Sequence, residues 1–388
     1  MKKWRDARVS LGTALMLCIM AAAAGVACCY TAVGWNSNTM QQKLREIDKL
    51  VTEKYVGELD IGLVADYAAT GYITGVGDQW SSYIPAEQYQ AYMLRGEGKS
   101  CGIGVSVVSG ENGIRVSLVC DDSPAQAAGI EKYDWITGAE GLTVERDGAS
   151  AVLEAIQGEE GTDVSLTFEK AETGESRTVT LTRAIVTQKM AWGELLEDGV
   201  GYLRIESFHD GSAAQFQTVL DSLLEQGAQK LVIDVRHNGG GRVKEMSAML
   251  DPLLPEGTIM RLETRDGQQT VYESDAEQID LPIAVLIDEQ SISAAEFFAA
   301  ALQEYERAAL VGVHTTGKGR AQRTYELSDG SAVNLSVEQY YTPHGRNLAG
   351  TGIAPDVEQK LSAEQSAEFY FLTAENDSQL QKAIETLK

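Results

Sequence analysis

The chain has 388 residues, with 57 acidic against 32 basic side chains and a formal net charge of −25. With no excess of Lys or Arg to displace condensed counterions, a nucleic-acid partner is excluded, and the acidity reads as solubility. A hydrophobic content of 44% with 7 prolines excludes a disordered or collagen-like chain, and the length allows two or three domains, each with its own core.

Residues 1–8, MKKWRDAR, carry Lys2, Lys3, Arg5 and Arg8, whereas residues 9–35, from Val9 to Trp35, carry no charge. As a helix rising about 1.5 Å per residue, that run would reach about 40 Å, more than the ~30 Å of a bilayer core. It is therefore predicted to be a transmembrane signal anchor. The basic residues before it place 1–8 in the cytoplasm and the rest of the chain outside, a single-pass cell-membrane protein. Small residues in AAAAGVA also offer a cleavage site, in which case the protein is secreted. Cys18, Cys28 and Cys29 lie in this run and read as small hydrophobes.

Residues 36–98 place Leu44, Ile47, Leu50, Val51 and Tyr55 at helical spacing and are predicted as two or three helices. Residues 99–184 change to short strands with turn punctuation, GIGVSVV and GIRVSLVC among them, and one helix signal at SPAQAAGI. If SGENG turns the first two runs into a hairpin, Cys101 and Cys120 approach across the pair and could form a disulfide. Over 185–360 the pattern is strand, loop, helix, repeated. GVGYLRIESF, QKLVIDVR, LPIAVLID and AALVGVH read as strands with helical crossovers between them, which implies an α/β domain on a mostly parallel sheet. Residues 361–388 read as a helical tail.

Chemistry in such sheets gathers at the C-terminal ends of strands. Three of those ends are unusual here: HNGGG at 237–241, EQSISAAE at 289–296 and TTGKGRAQ at 315–322. Ser291 or Ser293 could simply cap the following helix. As a nucleophile Ser293 would need a base and donors for a negative oxygen; backbone amides of the GGG loop and of Ala294 are candidate donors. His209, His237, His314 and His344 are the histidines from which a Ser-His-Asp triad would be built, and neither His237 nor His314 is excluded by position. Lys318 is the other candidate base. Burial disfavours a charged amine and can lower its pKa by up to about 3–5 units; Gly317 and Gly319 let backbone approach closely, and Gln322 could orient the amine. No Cys/His cluster has metal-ligand spacing.

With these residues in view, the chain resembles the carboxyl-terminal processing, or tail-specific, proteases, which are serine endopeptidases with a Ser-Lys dyad. That family's SASASE and GKGTVQ stand here as SISAAE and GKGRAQ, with 318 − 293 = 25 residues from serine to lysine, and its DLRNNPGG stands as DVRHNGGG. GIGVSV, SPAQAAGI and GEEGTDVSLTF are similar to its PDZ domain, which binds an extended chain and its terminal carboxylate at a strand edge.

The resemblance implies a catalytic Ser293, Lys318 and Gln322, and an oxyanion hole from Gly240 or Gly241 with Ala294. It implies a PDZ substrate site at Gly102, Ile103, Gly104 and Val105, and an α/β spiral core of the crotonase- and ClpP-like kind. No metal or cofactor is implied. The partners implied are proteins or peptides whose C-termini the PDZ domain captures to gate the dyad, and a second copy through the terminal helices as a homodimer.

The chain departs from the pattern in places. Ala295 replaces a serine, Gly239 a proline and His237 an asparagine, the last two loosening the oxyanion loop; Tyr133 stands where a glycine precedes Asp134. None removes a catalytic group. Two other classes compete: a PDZ-containing pseudoprotease scaffold that binds C-termini without cutting, and a hydratase-like acyl enzyme acting on coenzyme A thioesters.

Overall fold

The computed structural model describes residues 39–110 and 113–387. They divide between Ala65 and Asp66 into two compact units. In the first, helix α1 (Thr39–Lys54) buries none of its side chains and leaves Leu44, Ile47 and Leu50 exposed. Helix α2 (Ile61–Gly75) runs across the division. The predicted transmembrane segment 9–35 and the basic tail 1–8 lie outside the described residues. Among the described residues no helix is long and apolar enough to cross a membrane.

The second unit continues with β1 (Ser82–Ile84), α3 (Ala86–Gly96), β2 (Lys99–Gly102), β3 (Val105–Gly110), β4 (Gly113–Val119) and the short helix α4 (Pro124–Ala127). Next come β5 (Trp135–Ala139), β6 (Leu142–Thr143), α5 (Val144–Asp147), α6 (Ala149–Ile156), β7 (Asp163–Glu169), β8 (Ser176–Thr182) and β9 (Ala184–Thr187). Strands β3-β4-β5-β7-β8, with β6 on β5, make one antiparallel sheet whose edge is β3. Along β7 the period-two pleat puts Val164, Leu166 and Phe168 inside. They share a core with Ile114, Ile136 and Val152 of α6.

The Cys101–Cys120 disulfide does not form; both cysteines are free. Strands β3 and β4 do pair as a hairpin, Val105 opposite Val119, but Cys101 lies on β2, which pairs instead with β9, Cys101 opposite Ile185. The chain leaves one sheet for the other at Gly104. Its φ of +82° is open to glycine, and a Cβ there would stand 2.3 Å from that of Ser123.

The chain then runs through β10 (Ala191–Leu195), β11 (Val200–Ile205), α7 (Ser212–Glu225), β12 (Lys230–Asp234), α8 (Val243–Leu250), β13 (Gly257–Thr264) and β14 (Gln269–Ser274). It goes on through β15 (Ile283–Ile287), α9 (Ala294–Glu304), β16 (Ala308–Gly312), β17 (Arg320–Glu326), β18 (Ala332–Tyr341), β19 (Val357–Glu358), α10 (Ala363–Ala367) and α11 (Ser378–Thr386). One sheet, ordered β10-β11-β12-β15-β16-β19, is parallel except at β10.

Both faces of that sheet are buried, which is why its strands read as unbroken apolar runs. Leu231, Ile233 and Val285 join the cluster of α7, α8 and α9, while Val232 and Leu286 face Leu380, Ala383 and Leu387 at the C-terminus. The tail helix α11 is thus a wall of the core. A second, antiparallel sheet, β1-β18-β13-β14 with β17 on β18, carries Gln322.

Candidate functional site

Ser293 ends the turn after β15 and begins α9, with φ 58° and ψ −117°. That backbone is sparsely populated by residues with a Cβ and persists only when its surroundings over-determine it, as in a sharp strand-to-helix turn; Ser293 itself is buried. Three sets of bonds do so. Ser293 N donates to Glu296 Oε2 at 2.8 Å, and Ile292 N donates to Asn238 O at 2.9 Å. Ser291 Oγ donates to Val235 O at 2.8 Å and accepts from Asp288 N at 3.0 Å. Ser291 is therefore the structural serine of the turn. In the first turn of α9, Ala295 N reaches the carbonyl of Ile292, and Glu296 N and Phe297 N reach that of Ser293. The Ser293 hydroxyl interacts with that of Tyr340, whose pKa burial pushes up to about 12.

Lys318 lies in the turn after β16. Its Nζ donates to Gln322 Oε1 at 2.8 Å and sits 5.0 Å from the centre of the Trp80 ring. Gln322 Nε2 donates in turn to the Trp80 carbonyl. Burial pulls the Lys318 pKa below its usual value, against smaller opposing pulls from Asp78 and Glu296. The flanking glycines have a steric cause. A Cβ at Gly317, where φ is +91°, would meet Gly352 N at 2.9 Å, and one at Gly319 would meet Ala349 N at 2.3 Å.

Glu296, fully buried, joins the two turns. Its carboxylate accepts from Ser293 N, from Lys318 N at 2.8 Å, from Gly317 N at 2.7 Å and from Thr315 Oγ1 at 2.6 Å. Such charge-assisted bonds are stronger than neutral ones.

The glycine loop packs on the serine turn. A Cβ on Gly240, at φ +95°, would meet Ile292 O at 2.8 Å, Ser293 Cβ at 3.0 Å and Ala294 N at 3.1 Å. Gly240 N, however, donates to Asn238 Oδ1 at 2.8 Å, while Asn238 Nδ2 donates to Ile205 O at 2.8 Å. Gly241 N and Ala294 N donate to no acceptor among the described residues. Of the two glycines the sequence left open, Gly241 has the free amide.

His237, at φ 57°, takes no part in this group. Its Nδ1 lies 2.5 Å from Asp288 Oδ2, its Nε2 meets Gln290 Nε2 at 2.9 Å, and its ring stacks on Phe369. His314 Nδ1 meets Thr315 O, and burial followed by the nearby Arg95 and Arg242 lowers the pKa of His209. Among the described residues no histidine hydrogen-bonds Ser293, and no hydrogen bond joins Ser293 Oγ to Lys318 Nζ.

Below the glycine loop lies a buried charge network. Asp234 accepts from Arg236 Nη2 at 2.6 Å, Arg204 Nη1 at 3.1 Å and Tyr202 Oη at 2.7 Å; Arg236 also meets Asp377 Oδ2 at 2.7 Å. Burial alone would raise the Asp234 pKa, yet Arg236 and Arg204 hold it well below the carboxylate range.

The residues Gly102, Ile103, Gly104 and Val105 form a second place, at the passage from β2 to the edge strand β3. Ile103 is buried and its carbonyl accepts from Ala125 N at 2.9 Å.

Sequence reasoning missed Glu296, Asn238, Tyr340 and Trp80. The spacing of Ser293 and Glu296 is that of a capping box, a signal that was present. Trp80, in the turn before β1, and Tyr340, on β18, come from distant segments and carry no local signal.

Family models match this chain at two places: peptidase family S41 over residues 199–359 and a PDZ domain over residues 101–182. A carboxyl-terminal-processing protease of Picosynechococcus sp. is 31% identical over 328 residues, covering 83% of this chain and 78% of the relative. A CtpA-like serine protease of Staphylococcus aureus strain COL is 28% identical over 364 residues, covering 92% and 73%. A solved structure of an S41 protease candidate from Bacteroides fragilis superposes with a TM-score of 0.54 at 19% identity over 74% of this chain and 82% of that one, a likeness of fold.

Proposed function

The chain belongs to the carboxyl-terminal processing proteases of peptidase family S41, with a PDZ domain, and from that premise we propose that it is a serine endopeptidase in which Ser293 is the nucleophile and Lys318 the general base. The observation that carries this reading is the single carboxylate of Glu296 holding both the Ser293 turn and the Lys318 turn.

In this reading, neutral Lys318 takes the proton of Ser293 Oγ as that oxygen attacks the peptide carbonyl, and gives it to the departing amine nitrogen. Water then attacks the acyl-enzyme with Lys318 again as base. Gln322 orients the amine through its Oε1. Gly241 N–H and Ala294 N–H are aimed at the developing oxyanion, where such donors are worth about 10²–10³ in kcat.

The PDZ domain would hold a nonpolar substrate C-terminus along β3 at Gly102–Val105. In this reading that capture would bring Ser293 Oγ and Lys318 Nζ into hydrogen-bond contact. The domains proposed for these two roles are 99–184 for peptide capture and 185–360 for catalysis. Anchoring through residues 9–35, extracytoplasmic substrates and self-association rest on the sequence alone.

The test is casein cleavage by the full chain, wild type against Ser293→Ala and Lys318→Ala, with and without added C-terminal peptides. The expected result is a loss of about 10³-fold or more in each variant. Cleavage that survives in Ser293→Ala refutes the serine mechanism, and a wild type that stays inert with every peptide supports the scaffold reading.

A further inference from the structure

Two of the chain's departures from its family's pattern, Tyr133 and His237, both have left-handed backbones, φ 81° and 57°, and both touch one tail segment, Glu368–Phe371. Phe369 lies face to face on the His237 ring, 3.9 Å between centres and 17° between planes. Two residues on, Phe371 is 5.7 Å from the Tyr133 ring and lies under the Arg115 guanidinium, 3.9 Å from ring centre to Cζ. Arg115 Nη1 also meets Glu368 Oε2 at 2.9 Å. Arg115 and Tyr133 belong to the residues matched as a PDZ domain, and His237 to those matched as the peptidase; the segment between them lies beyond both matches.

The segment is not loosely laid on. Phe369 and Phe371 are buried, and the tail is pinned at Asp377 and Gln379 to Arg236, the residue just before His237. A stacked aromatic pair adds a modest stabilisation beyond its buried area, and a cation over a ring does the same. These are strengths that hold a loop and yield to a bound ligand.

We propose that Glu368–Phe371 is a positioning strap: Phe369 holds the loop 237–241 through His237, and Phe371 with Glu368 ties that hold to the PDZ domain, so that a shift of the PDZ domain is passed to the Gly241 amide. The catalytic half of this inference rests on the protease reading above. The mechanical half does not. Phe369 and Phe371 act here as positioning residues, because neither belongs to the Ser293 group.

Hydrogen exchange and casein turnover of the full chain are measured for wild type, Phe369→Ala, Phe369→Tyr, Phe371→Ala, His237→Asn and the His237→Asn, Phe369→Ala double variant. Phe369→Ala should speed exchange of the 237–240 amides about tenfold while those of α7 change less than about twofold, and Phe369→Tyr should restore protection. Phe371→Ala should speed exchange at 131–135 and also at 237–240. With His237→Asn in place, Phe369→Ala should add nothing further at the loop. In an active protein Phe369→Ala should lower kcat about tenfold or more with KM held within about threefold, and that drop should vanish in the His237→Asn background.

Loop exchange unchanged by Phe369→Ala, or raised equally in α7, overturns the strap, as does a full Phe369→Ala effect without His237. If Ser293→Ala cuts casein as well as wild type, the protease reading fails, and the exchange pattern still decides the strap.

Discussion

The backbone amides of Ser293 and Lys318 donate to the same oxygen, Oε2 of Glu296, each at 2.8 Å. The two residues stand on turns after different strands, β15 and β16, and a carboxylate with 0% exposure is the part they share. Glutamine at 296 would keep the shape but turn one acceptor into an NH₂ group facing donors. Glu296→Gln is expected to lower stability by about 1–3 kcal/mol. It should also lower kcat about 100-fold, since a shift near 1 Å between reacting groups suffices for that. Denaturant midpoints and casein turnover check this; a folded variant with wild-type kcat would show that the clamp does not set the dyad.

Burial lowers the Lys318 pKa from 10.5, with Asp78 and Glu296 opposing. Below the lowered value both folded and unfolded states hold the proton, and the folded state carries the full penalty of a buried charge. As pH rises through the lowered value the folded state sheds the proton first, and the penalty fades until it is gone above 10.5. Activity should therefore rise with pH through a midpoint below 10.5. Lys318→Met should stabilise the fold at neutral pH by an amount that shrinks as pH increases, and Lys318→Arg, charged throughout, should be inactive at every pH. A pH–rate profile and melting curves over the same range decide the matter, and a flat profile speaks against a lysine base.

Gly240 has no room for a Cβ: three atoms of the Ile292–Ala294 turn stand within 3.1 Å of where it would be, at a φ of +95°. The left-handed backbone alone costs a residue with a Cβ roughly 1–2 kcal/mol. Gly240→Ala should push the loop off Ser293 and cut kcat about 100-fold while the protein still melts cooperatively. Steady-state kinetics with a melting scan is the check, and near-normal kcat would mean that the loop does not set the Ser293 geometry.

Local signals carried a good part of this molecule. Apolar runs such as LVIDV and IAVLI read as buried strands because both faces of their sheet are covered, and the glycine, serine and lysine motifs fall at three adjacent strand ends because a parallel sheet puts them there. Gly317 and Gly319 announced a close approach without saying of what; the backbone of Ala349–Gly352 supplies it.

Other features depend on which strands lie side by side. The hairpin at β3–β4 was legible, yet its cysteines do not meet, because β2 turns away to β9 one strand earlier. Which glycine offers a free amide was decided by the Asn238 side chain taking the other. The tail read as one more helix, but α11 closes a face of the sheet and Asp377 pins Arg236, contacts made across more than a hundred residues of chain. Composition, periodicity and motif spacing act over a few residues and so determine elements and the chemistry they carry. The pairing of turns by Glu296, the free amide of Gly241 and the hold of Phe369 on His237 arise only where distant segments exclude water together, and those the tertiary structure alone decided.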